Sequence, residues 1–378
     1  MRRLGRVAAL IAAFGLLGCS SLNPFSSSGP KIPPLKPITD SVKLGEDWKL
    51  RVGSAGTSVF SPLVVGSAVY AAAADGTVVR VEDGRTVWKV SLKTGLSGGV
   101  GGSAEMVLVA SPKGEVYALD PASGAIRWQA NVNAEVLAAP ALGDGVVVVR
   151  AADSRLFGLE PADGKRRWVY QRATPALALR SAAGVVMADR AIFAGFPGGK
   201  LAAVNVNTGA LMWEGTVSVP RGATELERVA DISSPPVLNG RAACGVAYQG
   251  RVACFDLANG STLWTRDLSS ARGLDLDESH VFVTDDKGAV HALDLTSGAS
   301  MWKQDQLAGR SPGRPLAFRD MVAVADVEGI VHVLRKDDGT FVGRQRTDGS
   351  PVLADLRRVG SDLLVQTRDG SVFAFGVQ

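Results

Sequence analysis

Three cysteines and three histidines are the groups in these 378 residues best suited to metal, redox or near-neutral acid–base chemistry. Cys244 and Cys254 flank Gln249-Gly250, and the turn between them decides what they can do. A two-residue turn pairs residue 248 with 251 and sends the thiols to opposite faces. A three-residue turn with a bulge pairs 247 with 251 and sets Cys244 against Cys254, within reach of a disulfide. The sequence leaves both registers open, and an oxidising compartment favours the bridge. The pair lacks the spacing of a zinc site. His291 and His332 stand in Val-His-Ala-Leu and Val-His-Val-Leu, the slot that Tyr117 fills in Val-Tyr-Ala-Leu. They therefore read as strand residues and not as a metal cluster. No phosphate-binding glycine loop or Gly-x-Ser-x-Gly elbow stands in its required strand–turn–helix context. The expectation is a chain with no catalytic residues, no metal and no cofactor.

The elements around these groups repeat. In Gly114-Glu-Val-Tyr-Ala-Leu-Asp-Pro-Ala-Ser-Gly-Ala-Ile-Arg-Trp128 a turn glycine precedes a tryptophan by four residues, as it does at Gly84/Trp88, Gly164/Trp168, Gly209/Trp213, Gly260/Trp264 and Gly298/Trp302. All seven tryptophans lie on this ladder, from Trp48 to Trp302, with spacings of 40, 40, 40, 45, 51 and 38, and Gly343 takes the next position. A period near 40 built of short Val- and Ala-rich strands is that of a β-propeller blade. Eight positions predict an all-β, eight-bladed β-propeller with four antiparallel strands per blade. Trp48 has no hairpin before it, and the last hairpin, Gly370-Ser-Val-Phe-Ala-Phe375, has no tryptophan strand after it. The N-terminal strand is thus expected to close the last blade and remove an open edge. The tryptophans are expected to pack between blades.

Two segments break the repeat. Thr174-Pro-Ala-Leu-Ala-Leu-Arg180 carries Leu177, Leu179 and Arg180 without turn chemistry. Val219 to Ile232 contains Thr224-Glu-Leu-Glu227, a capping box at a short helical start, and ends on Asp231. Long ordered loops on a rigid scaffold are common binding sites.

At the other end, Arg2, Arg3 and Arg6 precede the apolar run Val7–Leu17, too short to span a bilayer and suited to a secretory signal. The run ends Leu16-Leu-Gly-Cys19, similar to the bacterial lipobox, so residues 1–18 read as a lipoprotein signal and Cys19 as the lipidated N-terminus. Ser20 in place of aspartate points to the outer membrane, facing the periplasm. Residues 19–39, with five prolines from Pro24 to Pro37, read as the lipidated cysteine and its tether, and residues 40–378 as the propeller. Without the signal's arginines, 38 Lys and Arg face 37 acids, so the charge gives no footprint for nucleic acid.

The Ala118-Leu-Asp…Gly124…Trp128 phrase resembles the repeat of pyrroloquinoline-quinone dehydrogenase propellers, whose adjacent Cys-Cys pair this chain lacks. A dehydrogenase or ligand-binding propeller is therefore the alternative reading. Over essentially the whole chain the sequence is more similar to the BamB family, lipoproteins of the outer-membrane β-barrel assembly (BAM) machinery. The resemblance implies a non-enzymatic scaffold that docks onto the periplasmic domains of BamA, with unfolded outer-membrane clients as further partners. It also implies that Leu177, Leu179 and Arg180 match the family's Leu-x-Leu-Arg docking element. Asp231 matches the first acid of an Asp-x-Asp element whose second acid is Ser233 here.

Overall fold

The computed structural model describes residues 31–39 and 41–378; among them every regular element is a β-strand. One compact unit runs from Pro34 to Gln378. Eight antiparallel sheets form the blades of a propeller. Blade 1 comprises Leu63–Val65, Ala68–Ala72, Thr77–Glu82 and Arg85–Ser91, from the central channel outward. Blades 2 to 7 begin at Gly98, Ala141, Val186, Val237, Gly273 and Leu316. Most second strands (for example Val146–Arg150 and Met321–Ala325) are buried along their whole length, as befits sheets covered on both faces, whereas outermost strands such as Ile126–Asn131 and Thr262–Asp267 are mostly exposed around a buried tryptophan. Blade 2 departs from the expected four strands, because Val59–Phe60 pairs in parallel with Gly98 and Gly99 on its inner edge. The segment Ser97-Gly-Gly-Val-Gly-Gly102 has few side chains to obstruct that approach.

The tryptophan–glycine ladder is one clasp used repeatedly. The indole N–H of Trp88 donates to Pro121 O (3.0 Å), Trp128 to Pro161 O (2.7 Å), Trp168 to Val206 O (2.9 Å), Trp213 to Leu257 O (3.0 Å) and Trp264 to Leu295 O (2.7 Å), each acceptor lying in the outer turn of the following blade. That turn's glycine rests on the same indole. At Gly260, φ is +72° and an added Cβ would stand 2.6 Å from the Trp213 ring. The repeat therefore spaces each tryptophan four residues after a glycine that serves its neighbour. Gly260→Ala should lose about 2–4 kcal/mol, from left-handed strain and overpacking together. Gly240→Ala, whose Cβ would meet nothing within 4 Å, should leave urea unfolding nearly unchanged.

Closure follows the expected route. Leu44–Arg51 pairs antiparallel with Ser371–Val377, making blade 8 from both chain ends, and its Trp48 lies under Gly84 of blade 1. The strands meet at Lys43 and Gln378, which exchange two backbone hydrogen bonds of 3.0 Å. Blade 8 consequently has no outer turn for a blade 7 tryptophan to clasp. Gly343 stands there instead, with Val42 O 2.8 Å from where its Cβ would be, and Ser41 and Val42 donate to Val342 O. Of the stretch expected to be tether, Leu35 and Ile38 pack on the blade 7 core, and Arg344 donates to Lys36 O.

Cys244 and Cys254 are fully buried, directly opposite each other in blade 5 and joined by a disulfide with Cα atoms 4.1 Å apart. Ala247 N donates to Arg251 O, which is the three-residue-turn register. The left-handed residue of that turn is Gln249 (φ +49°).

His332 is buried in blade 7, with Nε2 3.0 Å from Asp326 Oδ2 and Nδ1 accepting from Arg344 Nε at 3.1 Å. That arrangement places its single proton on Nε2. Burial pushes its pKa below the ordinary 6.5, with Asp326 opposing and Arg344 and Arg310 assisting. The unfolded chain therefore takes up this proton before the folded one does, so stability present above pH 6.5 is lost as pH falls. His332→Gln should flatten the fall of the urea midpoint as pH drops below about 6.5; parallel wild-type and variant slopes would contradict the assignment.

Candidate functional site

The two segments that break the repeat lie beside each other. Residues 171–185 join Tyr170, the end of blade 3, to Val186 of blade 4, and residues 217–236 join blade 4 to blade 5. Asp231 links them. Its side chain is buried (3% exposed); Oδ2 accepts from Leu179 N at 2.6 Å and Oδ1 from Gly198 N at 3.0 Å, while its carbonyl accepts from Tyr248 N. The carboxylate thus holds the Leu177–Arg180 segment against a turn of blade 4, and the carbonyl of the same residue reaches blade 5. The direct acidic contact expected of Asp231 is corrected accordingly: both oxygens face inward, so this residue positions the loop. Ser233, in place of the second acid, donates to Ala271 O at 3.3 Å.

What Asp231 holds up is a small amphipathic ridge. Leu177 is 39% and Leu179 37% exposed. Arg180 extends beside them with a side chain 63% exposed, its Nη2 2.7 Å from Glu135 Oε1. Glu135 comes from blade 3, where its carbonyl accepts from Ala152 N. The pair aims the guanidinium but holds it weakly, because an exposed ion pair contributes about 0–1 kcal/mol. Arg180 can therefore be redirected to a partner's carboxylate at little cost.

The second loop contains one turn rather than a helix. The Thr224 and Glu227 capping box forms reciprocally, Glu227 N donating to Thr224 Oγ1 (3.2 Å) and Thr224 N to Glu227 Oε2 (3.2 Å), with Ala223 N adding a bond of 2.7 Å. Those backbone donors hold the Glu227 carboxyl below its ordinary pKa. Leu226 and Val219 stand out from this turn, among the most exposed large apolar side chains of the propeller.

The inner strands surround a channel of about 980 Å³ whose lining includes Arg180, Arg272, Arg314, Arg357, Asp275 and Asp355. Arg314 Nη1 lies 3.1 Å from Asp355 Oδ2. Burial raises the Asp275 pKa, and Ala317 N donates to its Oδ2 at 2.8 Å. Among the described residues no three His, Cys, Asp or Glu are grouped to hold a metal. Sequence reasoning missed this charged lining, the Glu135 partner of Arg180 and the exposure of Leu226. Asp275, Arg314 and Arg357 sit at or just before the short inner strands of blades 6, 7 and 8, and charge at those positions was the available signal. The lipidation assigned to Cys19 lies outside the described residues.

Comparison with known proteins agrees with this architecture. The family model described as "Outer membrane protein assembly factor BamB" matches residues 74–304 and 288–378. The protein of that name from Bordetella pertussis is 40% identical over 363 residues, 95% of this chain and 94% of the relative. The one from Nitrosomonas eutropha is 43% identical over 334 residues, 88% of this chain and 81% of the relative. The crystal structure of BamB from Moraxella catarrhalis superposes with a TM-score of 0.83 at 25% identity, covering 88% of this chain and all of that one. A quinohemoprotein alcohol dehydrogenase from Comamonas testosteroni shares the fold at 13% identity and a TM-score of 0.68, covering 88% of this chain and 76% of that one. The chain belongs to the family of the outer membrane protein assembly factor BamB.

Proposed function

We propose that this protein is a non-catalytic scaffold of outer-membrane protein assembly that docks onto the periplasmic domains of BamA through Leu177, Leu179 and Arg180. The observation that carries the reading is the ridge itself: two apolar side chains and an arginine, presented on a segment that a buried carboxylate anchors from below. An apolar centre beside a redirectable guanidinium is the composition of a small interface anchor. Asp231 contributes by fixing the backbone of Leu179. The outer strands of blades 4 to 6 expose Leu211, Met212, Leu263 and Met301, which suits unfolded clients that add a strand to a blade edge. A dehydrogenase reading gains no support from the cysteines, which are buried inside blade 5 as a disulfide.

In this reading residues 1–18 are removed, Cys19 carries the lipid, and residues 20–39 lead from the outer membrane to the propeller on its periplasmic side. Two acyl chains anchor stably where one does so marginally. Cys19→Ala should move the protein from the outer-membrane to the soluble periplasmic fraction in cells depleted of BamA. Capture of the intact lipoprotein from solubilised membranes should recover BamA, and its absence from the captured material would reject the docking role.

A further inference from the structure

Residues 221–228 are all exposed, and their turn is braced mostly by its own atoms: the Thr224–Glu227 box, Arg228 Nε on Gly222 O at 3.0 Å and the Arg228–Glu225 pair. Among the described residues, the hydrogen bonds that reach this turn from outside the loop come from one side chain, Gln249. Three loop carbonyls surround its amide, Leu226 O and Glu227 O at 3.2 Å and Val229 O at 3.1 Å, so the donor nitrogen is the atom that faces them. Oε1 then accepts from Tyr248 Oη at 3.3 Å. Carbonyls at the end of a helical turn have few partners within it, and here blade 5 supplies one.

Gln249 is itself well held. It takes the left-handed position (φ +49°) of the hairpin turn above the Cys244–Cys254 disulfide, and its N–H donates to Ser269 Oγ at 2.7 Å. A hollow of about 160 Å³ opens between the start of the loop (Val219 and Arg221) and this hairpin (Gln249 and Arg251), so side-chain packing does not support the turn there. Leu226 projects from the turn so held, 71% exposed, more than any other large apolar side chain among the described residues. Loop and hairpin lie at the end of the propeller where the connections between blades run, the end that also carries Leu177–Arg180. Asp231 joins the two, accepting from Leu179 N through its carboxylate and from Tyr248 N through its carbonyl.

We propose that Leu226 is a further apolar contact of the docking surface and that Gln249 is the positioning residue that holds it out. The proposal rests on the docking role above. The partner is therefore the periplasmic domains of BamA, which must offer Leu226 an apolar hollow.

Gln249→Asn keeps a residue type that tolerates the left-handed turn but draws the amide back by one carbon. Amide hydrogen exchange over residues 223–229 should accelerate at least about tenfold in this variant, with a thermal midpoint within about 2 °C of wild type. Titration with BamA periplasmic domains should show binding about tenfold weaker for Leu226→Ser and about three- to tenfold weaker for Gln249→Asn. The double variant should bind as Leu226→Ser does, because Gln249 acts through Leu226. Unchanged exchange, or affinity losses that add independently, would overturn the positioning role. Wild-type affinity in Leu226→Ser would overturn the contact and leave the docking role standing; no binding by the wild type would reject both. Self-association of the wild type that Leu226→Ser abolishes would reassign the residue to a contact between copies of this chain.

Discussion

Deletion of Leu44–Arg51 is expected to lower the thermal midpoint by more than 10 °C or to abolish cooperative unfolding. This strand has two tasks. It covers the edge of Ser371–Val377 through a ladder running from Leu44–Val377 to Arg51–Ser371. It also inserts Trp48 beneath Gly84, where the other blades place a tryptophan from the preceding blade. Loss of the partly buried Trp48 alone costs up to about 3–5 kcal/mol, and removal of the strand adds an unpaired edge and an opened ring. By contrast, deletion of Ser20–Thr39 removes none of the described strands; it loses contacts such as those of Leu35 and Ile38 with blade 7 and the Lys36–Arg344 bond. Its midpoint should stay within a few degrees of wild type. Equal midpoints for the two truncations, measured by calorimetry, would contradict closure by the N-terminal strand.

Changing Leu177 and Leu179 together to aspartate is expected to lower affinity for the periplasmic domains of BamA by at least about thirtyfold, near 2 kcal/mol, with little change in stability. Both side chains are more than a third exposed, and neither belongs to a blade core. Asp231→Ala should behave differently. It leaves the N–H groups of Leu179 and Gly198 without their acceptor in a buried place, a loss of about 1–3 kcal/mol in stability. It also releases the ridge, so binding weakens indirectly. Asp231→Asn, which retains an acceptor oxygen, should recover part of both. If Asp231→Ala weakened capture with unchanged urea unfolding, a direct acidic contact would be restored as the better account.

Much of the fold was legible because the clasp pairs a rare residue, tryptophan, with a glycine at a fixed spacing. Tryptophan and a left-handed glycine are each required at one place per blade, so their spacing counts the blades, and the missing partner of Trp48 signals closure. Gly343 was also readable, though its cause was not: the tryptophan is absent because blade 8 has no outer turn to receive it. The site was legible only as interruptions of a period. Periodicity marks where a loop departs from the blade but carries no direction, so Asp231, an acid at a loop end, read as a surface contact when its carboxylate turns inward. Pairings between separate blades, such as Arg180 with Glu135 across 45 residues, leave no local pattern. The disulfide register lay between the two, since one residue of turn length decides which face a strand presents.

The central claim, docking through the Leu177–Arg180 ridge, is tested most directly by calorimetric titration of BamA periplasmic domains into residues 20–378 of this chain and into its Arg180→Ala variant. The wild type should show saturable binding, and the variant should bind at least about thirtyfold more weakly at an unchanged thermal midpoint. Equal affinities for the two proteins, or no binding by the wild type, would contradict the account.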